Sequence, residues 1–71
     1  MDIKKRFGGN VRKLREAKGW SQEDLAEASS LHRTYVSGIE RGVRNPTLTI
    51  VLRLANALHA TPAELLAREK K

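Results

Sequence analysis

The amino-acid sequence predicts a single all-α domain of five short helices, and three observations carry that prediction. Its 71 residues leave room for one compact domain and no second. Apolar side chains recur three and four apart, the spacing of one helix face, in segments of about one to three turns. Glycines, prolines and hydroxyl-bearing caps punctuate those segments, with no internal repeat or low-complexity stretch between them. The domain takes in residues 1–71, with a core spanning about 3–67. At this size a folded chain buries only about 60% of the surface its unfolded form exposes, so that core must be small.

In the first helix Ile3, Phe7, Val11, Leu14 and Lys18 fall on one face, and Lys18-Gly19 supplies a cationic last turn and a stop. Gly8-Gly9 interrupts this pattern. Two interior glycines cost about 1 kcal/mol each, so a later start near Asn10, a good N-cap, stays open, with Phe7 then packing from outside. The second helix starts at Ser21, which can cap the amides near Asp24, while Glu23 and Asp24 suit the positive end of the helix dipole. Leu25 and Ala26 face inward, and the helix ends at Ser29-Ser30. After a turn of about three to four residues, in which Leu31 plugs the core, a third helix starts at Ser30 or His32, runs to Arg41 and is ended by Gly42. Past Asn45-Pro46, Thr47 caps a fourth helix whose core stripe reads Leu48, Val51, Leu52, Ala55 and Leu58. Thr61-Pro62-Ala63-Glu64 combines a capping box with proline at the first helical position and opens a short last helix anchored by Leu65.

Fourteen Lys and Arg against eight Asp and Glu give a net charge of +6 and a pI near 10.3, so nucleic acid or an anionic surface is the leading partner class. The basic residues gather at 4–6, 12–18 and 33–44, with Glu23, Asp24 and Glu27 between them, which suggests an oriented binding face. With 39% apolar and 31% charged residues the composition is that of a globular domain rather than a disordered chain. There is no cysteine, and His32 and His59 are too few and too far apart for a metal motif, so no metal or cofactor is expected. No stretch approaches the roughly 20 apolar residues of a membrane span, and the N-terminus lacks the apolar block of a signal peptide. A soluble, cytoplasmic protein without a membrane partner is the expectation. No Ser-His-Asp, Cys-His or paired-carboxylate arrangement emerges, and so small a domain has little interior for one; an enzyme is not expected.

On the third helix, Val36 and Ile39 point inward, and at about 100° per residue this turns Arg33, Thr34, Ser37 and Arg41 outward together. Arginine pairs bidentately with guanine O6 and N7, serine and threonine bond base edges or contact the thymine methyl, and a helix fits the major groove. A polar outer face alone is ordinarily just solvated. The frame of two helices joined by a short turn is what favours reading DNA. Gly38, in mid-helix, costs about 1 kcal/mol relative to alanine. Either the groove or a neighbouring helix approaches closely there, or the glycine is only tolerated.

Ser21-Gln22-Glu23-Asp24-Leu25-Ala26, then Leu31-His32-Arg33-Thr34-Tyr35-Val36-Ser37-Gly38-Ile39-Glu40-Arg41-Gly42 and Asn45-Pro46-Thr47-Leu48 resemble the lambda-repressor-like (XRE) helix-turn-helix family. The resemblance covers nearly the whole chain. Within that family, the run from Arg33 to Gly42 followed by Arg44-Asn45 looks most like the controller proteins of restriction-modification systems, small dimeric regulators made of little beyond this domain. The resemblance implies a compact five-helix lambda-repressor-like DNA-binding domain, with its helix-turn-helix in the second and third helices. It also implies a transcription regulator, repressor or activator, that binds a near-palindromic operator as a homodimer. RNA polymerase is then a further partner, blocked or touched according to operator position.

Carried over by position, the resemblance makes Arg33, Thr34 and Ser37 base readers, with His32 at the start of the helix beside them and Arg44 in the following loop contacting a base edge or a phosphate. Gln22 falls where the family clamps a phosphate, and the free amides and positive dipole end of a helix start suit an anion. Tyr35, Asn45 and Arg41 are further DNA-backbone candidates, Tyr35 lying near the edge of the buried face and open to being half core. The family pattern pairs Glu40 with Arg15 as a structural ion pair, which a buried carboxylate requires. Ser30 departs from the pattern, standing where glycine commonly supplies a left-handed backbone; serine adopts it at about 1 to 2 kcal/mol. Trp20 reads as a lid on the core and His59 as surface, while Lys4-Lys5-Arg6 and Lys70-Lys71 read as solvated charge.

One recognition helix reads only a few base pairs, so twofold dimers with half-sites about 34 Å apart, or a multiple of that, are expected. Ile50, Leu54 and Ala57 form a second apolar stripe on the fourth helix and Leu66 lies beside Leu65; these are the interface candidates. The competing readings are the antitoxin of a toxin-antitoxin pair, a phage-type repressor, and a protein-interaction module that keeps the fold without binding DNA.

Overall fold

Asp2 opens the chain's first helix by accepting hydrogen bonds from the amides of Lys4 (3.0 Å) and Lys5 (3.3 Å), and caps of the same kind recur along the molecule. The structure, a computed structural model, describes residues 2–68. These form α1 (Ile3–Ala17), α2 (Gln22–Ser29), α3 (Arg33–Glu40), α4 (Leu48–Leu58) and α5 (Pro62–Leu66), with no strand among the described residues. Lys70 and Lys71 lie outside them. Ser21 and Asp24 form a reciprocal capping box on α2, Thr47 caps α4, and Thr61 with Glu64 does for α5 what Ser21 and Asp24 do for α2. His32 occupies the N-cap of α3 without a side-chain hydrogen bond.

The late start of the first helix at Asn10 is corrected. α1 runs through Gly8-Gly9 because it crosses the end of α3 backbone to backbone: a Cβ on Gly8 would collide with the Ile39 carbonyl oxygen and sit 3.0 Å from that of Glu40. Packing thus outweighs the local helix cost of glycine. Gly9, by contrast, meets nothing. Asn10, in mid-helix, donates its side-chain amide to the carbonyls of Leu65 and Ala67, both at 2.8 Å, and so ties the end of α5 to α1.

Four helices end in one way, with an amide reaching back five residues to a carbonyl: Trp20 to Arg15, Leu31 to Ala26, Val43 to Gly38 and Ala60 to Ala55. The residue before each of those amides has a positive φ. It is glycine at positions 19 and 42, but Ser30 (φ 60°) and His59 (φ 56°) elsewhere. The Ser30 expectation therefore holds in detail, and His59 shares a backbone state that its reading as surface did not anticipate.

The core gathers Phe7, Val11, Leu25, Val36, Ile39 and Leu65 with buried residues of α4, and half-buried Leu14, Trp20 and Leu31 pack on it. Of the expected α4 stripe Ala55 and Leu58 are buried and Val51 packs half-buried on the core, but the helix is rotated away from Leu48 and Leu52. Leu54, Ala55 and Leu58 face inward, whereas Leu48 is 84% and Leu52 52% exposed. Leu54, an interface candidate, is 0% exposed within one chain and cannot meet a second. The reason is breadth: apolar residues cover more than half the circumference of α4, so their spacing does not set its rotation. Packing against α2 on one side and α1 and α5 on the other does.

Candidate nucleic-acid interface

The site is built on the outer face of α3. Val36 (0%) and Ile39 (1%) are buried, which turns Arg33 and Thr34 into solvent and leaves Ser37 half-buried at the edge of the same face. Arg41, one residue past the helix end, is exposed and donates Nε–H to the Ser37 carbonyl at 3.3 Å. Arg44 and Asn45 are exposed in the loop that follows. The Arg44 guanidinium lies over the Tyr35 ring, 5.3 Å from its centroid, within cation–π range. Tyr35 is half-buried against the core and serves as a shelf for that arginine. His32 is exposed just before Arg33.

Behind this face α3 is held by a buried carboxylate. The Glu40 side chain is 3% exposed and lies 2.7 Å from Arg15 Nε. Arg15 Nη2 donates to its other oxygen at 3.0 Å, and Gln22 Nε2 donates to that same oxygen at 3.0 Å. Arg15 Nη1 donates in turn to the Trp20 carbonyl at 2.6 Å. One carboxylate thereby joins α1, the segment before α2, α2 itself and α3. The hydrogen bond with Glu40 raises the Arg15 pKa above its ordinary value, against the opposing effect of burial and with help from the charges of Glu40 and Glu16. A raised value means that the stability this charge draws from its ionised partner is lost as pH rises through the ordinary arginine range and past it. The role of Gln22 in this latch was not legible beforehand, and its side chain points to Glu40 rather than standing free.

The interface candidates do not share a face. Ile50 lies beside Ser30, Leu31, His32 and Tyr35, and Ala57 beside Ala28, Ser29 and Ser30, both half-buried. Leu66 is on another side, in an apolar groove with Ile3, Pro46, Leu48, Val51 and Pro62. Among the described residues every buried side-chain nitrogen or oxygen has a partner. No group of three His, Cys, Asp or Glu there could hold a metal ion, and no helix is long and apolar enough to cross a membrane.

Two short helices joined at a left-handed Ser30, the second presenting a hydrogen-bonding face in front and locked by an ion pair behind, define the class: a helix-turn-helix transcription regulator. A family model described as helix-turn-helix matches residues 11–65, and the chain belongs to that family. It is 48% identical over 69 residues to the control protein C.SmaI of Serratia marcescens, covering 97% of this chain and 82% of the relative. It is 46% identical over 66 residues to the control protein C.BamHI of Bacillus amyloliquefaciens, covering 92% and 82%. The crystal structure of the restriction-modification controller protein C.AhdI from Aeromonas hydrophila superposes with a TM-score of 0.84 at 53% identity, over 87% of this chain and 94% of that one. The chain is thus an XRE-type DNA-binding regulator close to the restriction-modification controllers, and these relatives are regulators rather than enzymes.

Proposed function

We propose that the chain binds a near-palindromic DNA operator as a homodimer and controls transcription of a restriction-modification system. The observation that carries this reading is the joint exposure of Arg33, Thr34 and Arg44 on and beside a helix fixed from behind by Glu40. Arg33, Thr34, Ser37 and Arg44 read bases in the major groove, and His32, Tyr35, Arg41 and Asn45 contact the DNA backbone. Gln22 also keeps its phosphate role, since an amide nitrogen carries two hydrogens and Glu40 takes one. No chemistry is performed. Operator position decides whether RNA polymerase is blocked or touched, and the work is done in the cytoplasm.

The dimer surface is revised: Leu48 and Leu52, exposed on α4, and Leu66 on α5 replace the buried Leu54. Ile50 and Ala57 are left as lesser candidates on the other flank. Leu48→Lys with Leu52→Lys should give a monomer by sedimentation, with the helical circular-dichroism signal unchanged. A dimer persisting in that variant would exclude this surface.

Selection of bound sequences from a random DNA pool tests the whole reading. It should enrich a twofold-symmetric site with half-sites about 34 Å, or a multiple of that, apart. Failure to enrich any sequence would overturn sequence-specific binding.

A further inference from the structure

We propose that Gly38 is a positioning residue for Arg44, and that its missing side chain makes the recognition surface a composite of α3 and the loop after it. The inference rests on Arg44 reading DNA and adds what holds it there.

Glycine is the poorest interior helix residue after proline, yet Gly38 sits in the middle of an eight-residue helix and is buried. What covers it is specific. The three heavy atoms nearest to a Cβ built on Gly38 all belong to the Arg44 side chain: Cγ at 2.7 Å, Nε at 3.2 Å and Cδ at 3.5 Å. At Gly8 the neighbours are backbone, and at Gly42 they include the Lys5 backbone. Lys5 Cγ also lies over Gly42, at 2.6 Å, but only at Gly38 do all three nearest atoms belong to a side chain, with no backbone among them.

Two further contacts pin the same arginine. The Val43 amide donates to the Gly38 carbonyl at 3.0 Å, so the residue before Arg44 is tied to the residue that Arg44 crosses. Tyr35 stands three residues before Gly38, hence on the same face of α3, and its ring carries the guanidinium at 5.3 Å. The stem of Arg44 is therefore laid across α3 between two fixed points. Arginine loses much rotamer freedom when it is immobilised. Here part of that loss is taken during folding rather than on meeting DNA, which favours binding. A Cβ at position 38 would push the stem off this track, and the helix itself would tolerate it.

The experiment is a double-mutant cycle of Gly38→Ala and Arg44→Ala, read on a duplex carrying the pool-selected sequence and on a random duplex. Gly38→Ala should leave Tm unchanged or raise it by up to about 8 °C, while weakening binding to the selected duplex about tenfold. In the Arg44→Ala background it should have no further effect. In the free protein, Gly38→Ala should return the Arg44 Hγ and Hδ NMR shifts, displaced by the Tyr35 ring current, towards their unstructured values. An equal loss in both backgrounds would overturn the proposal, since the alanine would then meet DNA directly. So would unchanged Arg44 shifts, or moved shifts with unchanged affinity. If the parent chain selects no DNA, the functional reading fails, and the NMR arm still decides whether Gly38 positions Arg44.

Discussion

Arg15 and Arg44 approach α3 from opposite sides and are held in opposite ways. Arg15 comes from behind, out of α1, and is buried with three guanidinium nitrogens engaged, two on Glu40 and one on the Trp20 carbonyl. Arg44 comes over the front, is exposed, and hydrogen-bonds no other described residue, its stem lying across Gly38 and its guanidinium over the Tyr35 ring. An arginine whose donors are used up within the chain orders the fold. One whose stem is fixed and whose five N–H donors stay free is poised for a bidentate acceptor from outside. The same residue type thus takes a structural or a recognition role according to what meets its guanidinium.

The strongest test of this contrast is to break the rear contact. Arg15→Ala leaves the Glu40 carboxylate buried with only Gln22 and should cost about 3 to 5 kcal/mol in chemical denaturation. Replacing both partners, Arg15→Met with Glu40→Leu, should recover most of that loss, because no uncompensated charge remains. A double variant as unstable as the single one would show that packing, not charge, fails there. At the front, Arg33→Ala should lower operator affinity by about 1 to 3 kcal/mol and relax base preference at one position of each half-site. Its folding stability should stay within about 0.5 kcal/mol of the parent. Equal losses on selected and random DNA would remove Arg33 from the proposed readers.

Gln22 joins the two sides, so Gln22→Ala should cost about 1 kcal/mol of folding stability and weaken binding to all sequences alike. Loss of stability without loss of binding would make it purely part of the rear latch. The smallest effect concerns the turn between α2 and α3, which touches neither arginine. Ser30→Gly should relieve the left-handed strain and stabilise the fold by about 1 kcal/mol, with base preference unchanged. A shifted base preference would mean that the serine helps to set the angle between the two helices.

Much of this could be read in the one-dimensional chain because it is local. Ser21 with Asp24, Thr61-Pro62-Ala63-Glu64, Gly19 and Gly42 act on amides and carbonyls within a few residues of themselves, so their positions alone mark where helices start and stop. The inward turn of Val36 and Ile39 follows from an eight-residue helix with few apolar choices, and it places Arg33 and Thr34 in solvent. Gly8 left one usable signal: a glycine next to Phe7 on a core-facing stretch of helix marks a close approach by another backbone.

What the tertiary structure alone decided depends on partners distant in sequence. α4 is apolar over more than half its circumference, so only contact with α1, α2 and α5 chose Leu54 for the core and left Leu48 and Leu52 outside. Asn10 resembles a cap and becomes a tie to α5. Gly38 resembles a weakness of α3 until Arg44 lies across it. Local sequence determines where each helix begins, how it ends and which face of a narrow stripe turns inward. The rotation of a broadly apolar helix, and the occupant of the space a glycine leaves, are set when the helices close on one another.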